Sequence, residues 1–293
     1  MSGAEATAVE TAAVDTPARI RRERIRLLFR NLPFVVGLAI LLFWVVMAIA
    51  GPWIAPYGAD DTDLLNTLTP PSFIHWFGTD QFGRDVFSRV IVGSRDILIV
   101  APLATLLGTV VGTILGLVTG YARGITDDII SRIVDAFLAL PLLILAMLII
   151  TALGISNTTV IIVIGLSFGL IVGRTVRAAV LSERDLDYVA AANLRGETPL
   201  HILFIEILPN VMPPILVETT VRLGYAIFTV ASLSFLGLGI QPPSPDWGLS
   251  ISQNYGLIGG GFWWTVLFYA LAIGSLVVGV NLTAEGAQAV LDA

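Results

Sequence analysis

Few side chains in this sequence could do bond chemistry, and their kinds exclude more than they permit. Cysteine is absent and the two histidines, His75 and His201, lie far apart, which leaves disulfides, thiol redox chemistry and Cys/His metal clusters unsupported. All sixteen basic residues are arginine, so neither a phosphate-gripping P-loop lysine nor a Schiff-base lysine is available. No nucleophile stands in a recognisable arrangement with a base. A chain with this inventory is expected to be no enzyme, to bind no metal or cofactor itself, and to take its driving energy from another component. One charged pair is placed where something other than catalysis could use it: Glu218 and Arg222, four residues apart in an otherwise apolar stretch. That spacing puts both on one helix face, within reach of each other.

The stretch belongs in a membrane. Of 293 residues, 56% are hydrophobic and 13% charged, and the mean hydropathy is +0.87, far from the balance of a soluble domain. The net charge of −6 says little about partners, because most acids fall in loops and tails, and no nucleic-acid footprint is visible. A charge inside a bilayer is costly, and Glu218 lies only about 9 Å of helical rise beyond Met212. Glu218 and Arg222 therefore either line or gate a path, pairing with a partner subunit, or form an intrahelical pair that snorkels to the nearer boundary.

The elements that must position them read as an all-α, polytopic chain of six transmembrane helices. Residues 1–30 are expected to be a disordered tail followed by a basic segment, Arg19 to Arg30, lying on the cytoplasmic leaflet. Residues 31–93 hold the first span, about Pro33 to Trp53, which is longer than a signal-peptide core, and an outer loop. Within that loop Val86 to Val92 reads as a short amphipathic helix at the outer surface. Residues 94–285 form a core of five spans, of which the first carries Gly108, Gly112, Gly116 and Gly120 on one face, a stripe that lets another helix approach closely in lipid. The uncharged run Ala136 to Gly173 is long enough for two spans joined outside by turn residues Gly154 to Thr158. The fifth span runs from about Met212 to Leu238 and the sixth from Phe262 to about Leu282; residues 286–293 read as a cytoplasmic tail. Arg174, Arg177, Arg184 and Arg195 put the connection between spans four and five in the cytoplasm, and both termini with it. On the outer side Arg84, Arg89 and Arg95 are partly offset by Asp80, Asp85 and Asp96.

The cytoplasmic loop, residues 182–209, specifies structure of its own. Ser182 reads as an N-cap with acids in the first turn, opening a helix from Glu183 to about Leu194 that Gly196 lets turn. Thr198-Pro199 then opens a second helix, and the loop closes at Pro209. Ala190, Ala191 and Ala192 give the first helix a smooth surface that suits a cleft in another protein, or an ordinary connector.

The run Asp187-Tyr188-Val189-Ala190-Ala191-Ala192, then Gly196, then Leu208-Pro209-Asn210 resembles the signature loop of importer-type ATP-binding cassette permeases. Where that family's pattern leads with Glu this chain has Ala190, and Glu206 replaces an apolar residue or His three positions before Pro209. Two further segments, Gly78-Thr79-Asp80-Gln81-Phe82-Gly83-Arg84-Asp85-Val86 and Leu233-Ser234-Phe235-Leu236-Gly237-Leu238-Gly239-Ile240-Gln241-Pro242-Pro243, resemble those of peptide and nickel permeases, the second being typical of the C-type subunit of dipeptide and oligopeptide importers. The resemblance implies a coupling helix, with Asp187, Tyr188, Ala190, Ala191, Ala192, Gly196, Leu208 and Pro209 at the contact with an ATPase. It implies a B-type permease partner, two ATP-binding cassette ATPase domains that hold ATP and Mg, and an external substrate-binding protein. It implies a bacterial inner-membrane location and a peptide cargo, with nickel or another small solute as the same-fold alternative. A secondary transporter is the other class considered; its inverted repeats and midplane breaks are not evident.

Overall fold

The computed structural model describes residues 26–122 and 124–291; the expected N-terminal tail and most of the basic segment lie outside these. Among the described residues five helices are long and apolar enough to cross a membrane, and a bent pair of helices makes a sixth if the two are taken as one span. In chain order they are α1, Leu32–Ile54; α2, Val86–Tyr121; α3, Ile125–Leu138, and α4, Leu142–Leu153; α5, Asn157–Glu183; a short α6, Asp187–Leu194; and α7, Pro199–Phe235. Then come α8, Trp247–Asn254, and α9, Trp264–Leu291.

The glycine stripe sets a close contact between α2 and α5. A Cβ at Gly108, Gly112 or Gly116 would sit 2.8, 2.6 and 2.7 Å from the carbonyl oxygens of Gly165, Gly169 and Gly173 on α5. Both helices thus contribute small residues, and their backbones meet where side chains would hold them apart. On the other side of the bundle α1 packs on α9 through Gly37, Gly279 and Gly286, and the indole Nε1 of Trp44 donates to Ser275 at 3.0 Å.

Several elements differ from the reading of the sequence. Val86 does not open a separate surface helix; it starts the 36-residue α2, capped by Asp85, whose carboxylate accepts from the Ser88 N–H at 2.8 Å. Nothing between Val92 and Ile97 breaks a helix, and Gly93 takes the close approach of Pro245 without interrupting it. The third span is broken: the stretches Asp127–Leu138 and Leu142–Leu153 meet at 91°. Pro141, with no N–H and a ring that obstructs the preceding turn, stands at the bend and caps α4. The turn at Gly154 is as expected, with φ +93° and Ser156 accepting from the Thr159 N–H.

Ser182 caps nothing, because its hydroxyl donates back to the Ala178 carbonyl and α5 runs on to Glu183. The short helix therefore starts later, at Asp187, after a break at residues 184–186. Thr198 and Pro199 do open a helix, yet it does not stop at Pro209. A π-helical turn, Ile202–Ile207, precedes the proline, and the Leu208 N–H reaches back to Leu203 O. The wider turn lets the chain accommodate a residue that cannot donate, so span five begins inside the expected loop. At the other end α9 continues to Leu291, so most of the segment read as a tail is helical. Glu285 lies within that helix, and no Pro follows to stop it.

Candidate coupling surface and polar sites

The loop after α5 is held by a compact apolar cluster. Val189 and Ala192 of α6 pack against Val180 of α5 and Ile202, Leu203 and Ile207 of α7. One face of α6 is thereby fully committed. Its other face, with Asp187, Ala190, Ala191 and Leu194, is exposed, and Leu194 is 90% accessible. The helix ends where Gly196, at φ +78°, lets the Glu197 N–H close on Ala192 O.

Polar contacts fix the angle of this platform. Tyr188 donates to Glu183 at 2.8 Å; burial and that carboxylate push its phenol above the ordinary tyrosine range. Arg195 pairs with Glu206 at 2.9 Å, and Arg184 donates to Gly120 O at 2.7 Å, tying the end of α5 to the end of α2. The residues singled out in the sequence therefore divide. Asp187, Ala190 and Ala191 share the exposed face, with Pro209 exposed on α7, whereas Tyr188, Ala192 and Leu208 support it from beneath. Leu194 was missed. Its signal is an apolar residue three positions after Ala191 on the face that Val189 and Ala192 do not use.

Glu218 and Arg222 form the intrahelical pair their spacing allows. Arg222 Nε donates to Glu218 Oε1 at 2.6 Å, and the guanidinium lies 5.3 Å from the Tyr225 ring centroid. Their side chains are 16% and 18% exposed. A second pair joins the broken span to the bundle: Arg177 grips both oxygens of Asp127 at 2.7 Å, holding α3 to α5.

The loop-rich end, formed by residues 55–85 and 236–263, brings the two remaining motifs together. Asp80 accepts from the backbone of Phe82 and Arg84 and pairs with the Arg84 side chain at 2.7 Å, while Asp85 holds His75 at 2.9 Å. Arg89, whose side chain is fully buried, donates to Ala59 O, Asp60 and Ser244 O. Of the arginines expected to be offset by nearby acids, Arg84 does keep Asp80, whereas Arg89 is used as a long-range tie. Ser234 accepts from the Ile240 N–H, and Gly237, at φ +78°, lets the Leu238 N–H return to Leu233 O. Trp247 is fully buried with its Nε1 donating to Val90 O, because the Pro-rich loop folds inward. Trp264 is likewise buried, on Thr79 O, and Trp263 alone of the three is largely exposed. Asp246 caps α8 through the Leu249 N–H, and burial pushes its carboxyl up to about 6. Among the described residues no group of three or more His, Cys, Asp or Glu could hold a metal ion.

Known proteins share this architecture and these segments. Residues 112–293 match the family described as binding-protein-dependent transport system inner membrane component, and residues 21–71 match the N-terminal TM domain of oligopeptide transport permease C. The dipeptide transport system permease protein DppC of Alkalihalophilus pseudofirmus is 40% identical over 92% of this chain and 89% of its own. DppC of Escherichia coli is 41% identical over 90% and 89%, and the probable D,D-dipeptide transport system permease protein DdpC of the same organism is 35% identical over 97% and 96%. A structure of the inward-facing MetNI methionine ABC transporter shares the fold at a TM-score of 0.57 and 20% identity, covering 69% of this chain and 96% of that one. With the signature loop, the two paired motifs and full-length relatives in agreement, the chain belongs to the family of binding-protein-dependent inner-membrane permeases, as a permease of the oligopeptide C type.

Proposed function

We propose that this chain forms half of the translocation path of an ATP-driven importer of di- or oligopeptides, and that it receives the power stroke through α6. The observation that carries the coupling role is the division of that helix. Val189 and Ala192 are locked into the permease, while Ala190, Ala191 and Leu194 present a low apolar surface that the chain itself leaves uncovered. A leucine that is 90% exposed beside two alanines suits a cleft in another protein, since burying it would contribute about 1.5–3 kcal/mol of contact. The names of the relatives, most of them dipeptide permeases, support the cargo class. A related B-type permease would complete the path. Two ATPase domains would hold ATP and Mg, and an external binding protein would deliver peptide to the loop-rich end. The basic N-terminal flank and the arginines near α6 support a bacterial inner-membrane orientation with α6 and both termini in the cytoplasm.

The test is a reconstituted complex. Leu194→Ala removes about 2 kcal/mol of apolar contact by the per-methylene rule, so it should weaken ATPase association about 30-fold. Ala191→Arg should insert normally yet uncouple peptide uptake from ATP hydrolysis, because a guanidinium in a close-packed cleft loses its hydration. Wild-type association and coupled transport in both variants would show that α6 is a connector and nothing more.

A further inference from the structure

The surface between α1 and α2 carries a groove of about 650 Å³ lined by none of the coupling residues and by neither Glu218 nor Arg222. Its apolar walls come from Val45, Ala48 and Ile49 on α1 and from Leu98, Ile99 and Pro102 on α2. Ile49 and Ile99 are 67% and 46% exposed, so the groove opens sideways. At its upper rim, toward the loop-rich end, stand Arg95 and Trp53.

Arg95 differs from the arginines just before it. Arg84 is tied to Asp80 and Arg89 to Asp60, whereas Arg95 is exposed and has no carboxylate or hydrogen-bond partner among the described residues. Its neighbour Asp96 turns the other way and binds Ser244. Arg95 is also the last basic residue before the uncharged run Ile97 to Ala122, which is long enough to cross the hydrocarbon core. Trp53, 80% exposed at the end of α1, lines the same groove and has a ring suited to the interface. A lone arginine beside such a run could simply extend to water. Here it stands directly over an apolar channel that runs down into the hydrocarbon region, and the two features together match the two parts of one molecule.

We propose that this groove is a phospholipid site, in which the guanidinium of Arg95 holds the phosphodiester of a lipid in the leaflet nearest the loop-rich end and an acyl chain lies between α1 and α2. The guanidinium fork matches phosphate geometry and forms paired charge-assisted hydrogen bonds. The chain fills a groove that would otherwise leave Ala48 and Pro102 with a gap on one side, losing contacts a fluid bilayer supplies less closely. A second membrane helix, from the permease partner, is the competing occupant. It would bring no phosphate and would have to place an acid opposite Arg95.

The assay uses the whole permease complex in nanodiscs of mixed phosphatidylglycerol and phosphatidylethanolamine, released into mild detergent and weighed by native mass spectrometry. Wild type should retain one more phospholipid than either Arg95→Gln, which removes the phosphate partner, or Ala48→Phe, which fills the channel. A photo-crosslinking residue placed at Ile99 should form an adduct of phospholipid mass. Equal lipid retention in all three proteins would overturn the proposal, and so would an Ile99 adduct to the partner permease. Should either variant assemble poorly, the Ile99 adduct in the otherwise native complex decides between lipid and partner.

Discussion

Replacing Gly112 with alanine adds one methyl group at a crowded point between α2 and α5. The new Cβ would lie 2.6 Å from Gly169 O, 2.6 Å from Val172 Cβ and 2.8 Å from Val172 Cγ1. Ordinary contact starts near 3.4 Å, so α2 and α5 must separate locally by about 0.8 Å, a gap that forfeits roughly a quarter to a half of each dispersion contact beside it. Two of the three obstacles are main-chain or β-carbon atoms, which no rotamer change can move. Overpacking of this kind costs about 1–3 kcal/mol. Alanine also favours the helix over glycine by up to about 1 kcal/mol, so the raw effect of the substitution mixes two terms of opposite sign. Gly274 on α9 separates them, because a Cβ there meets nothing within 4 Å. Unfolding of the purified chain in mixed micelles, followed by helicity, should place Gly112→Ala about 1–3 kcal/mol below Gly274→Ala. Equal stability of the two variants would refute the claim that the glycine stripe sets the helix separation.

Two further outcomes follow from the polar residues. The Asp246 carboxyl titrates near 3.8 when free and at about 6 when buried in the fold, so its contribution to stability is full below 3.8 and is lost as pH rises through about 6. The loss amounts to about 3 kcal/mol; wild type should fall relative to Asp246→Asn, which keeps the cap on Leu249, as pH is raised from about 4 to about 7, and a pH-independent difference between them would contradict the assignment. For Glu218 and Arg222, either single neutralisation (Glu218→Gln or Arg222→Leu) strands a half-buried partner at a cost of about 1–3 kcal/mol and should lower folding yield, with the double change restoring it and peptide flux per molecule unaltered throughout. Strong flux defects in the single variants at normal yield, rescued in the double, would make the pair a gate.

What could be read from the residues depended on how local the physics was. The order of the apolar spans followed from hydropathy, though not their ends, and the glycine stripe followed from a four-residue spacing, since both are properties of one helix. The Thr198-Pro199 start and the Gly196 turn were legible for the same reason: each rests on what one or two residues can do with their own backbone. The 91° bend was not legible, because Pro141 sits in an apolar run that looks the same whether the helix continues or turns aside. Proline gave opposite results at Pro141 and Pro209; before Pro209 the chain takes a π turn, Ile202–Ile207, whose apolar residues pack against α6.

The loop-rich end shows the limit most clearly. Arg84, Arg89 and Arg95 read alike in the sequence, three cations each a few residues from an acid. In the fold Arg84 keeps its local acid, Arg89 reaches Asp60 and the Ser244 carbonyl, and Arg95 is exposed with neither. Ser244 and Trp247 arrive from a segment more than 150 residues later, and only that long connection decides which arginine is buried. Inside lipid, by contrast, most spanning positions need only be apolar, so many sequences serve equally and carry no recognisable pattern. Polar backbone turns and buried ion ties tolerate few substitutes, because an unmatched charge or N–H in such a site has no water to turn to. That asymmetry explains why the segments that identified the family lie at the two ends of the bundle, around Asp80 and Ser234 at one and around Ala191 and Gly196 at the other, while the helices between them announce only their length.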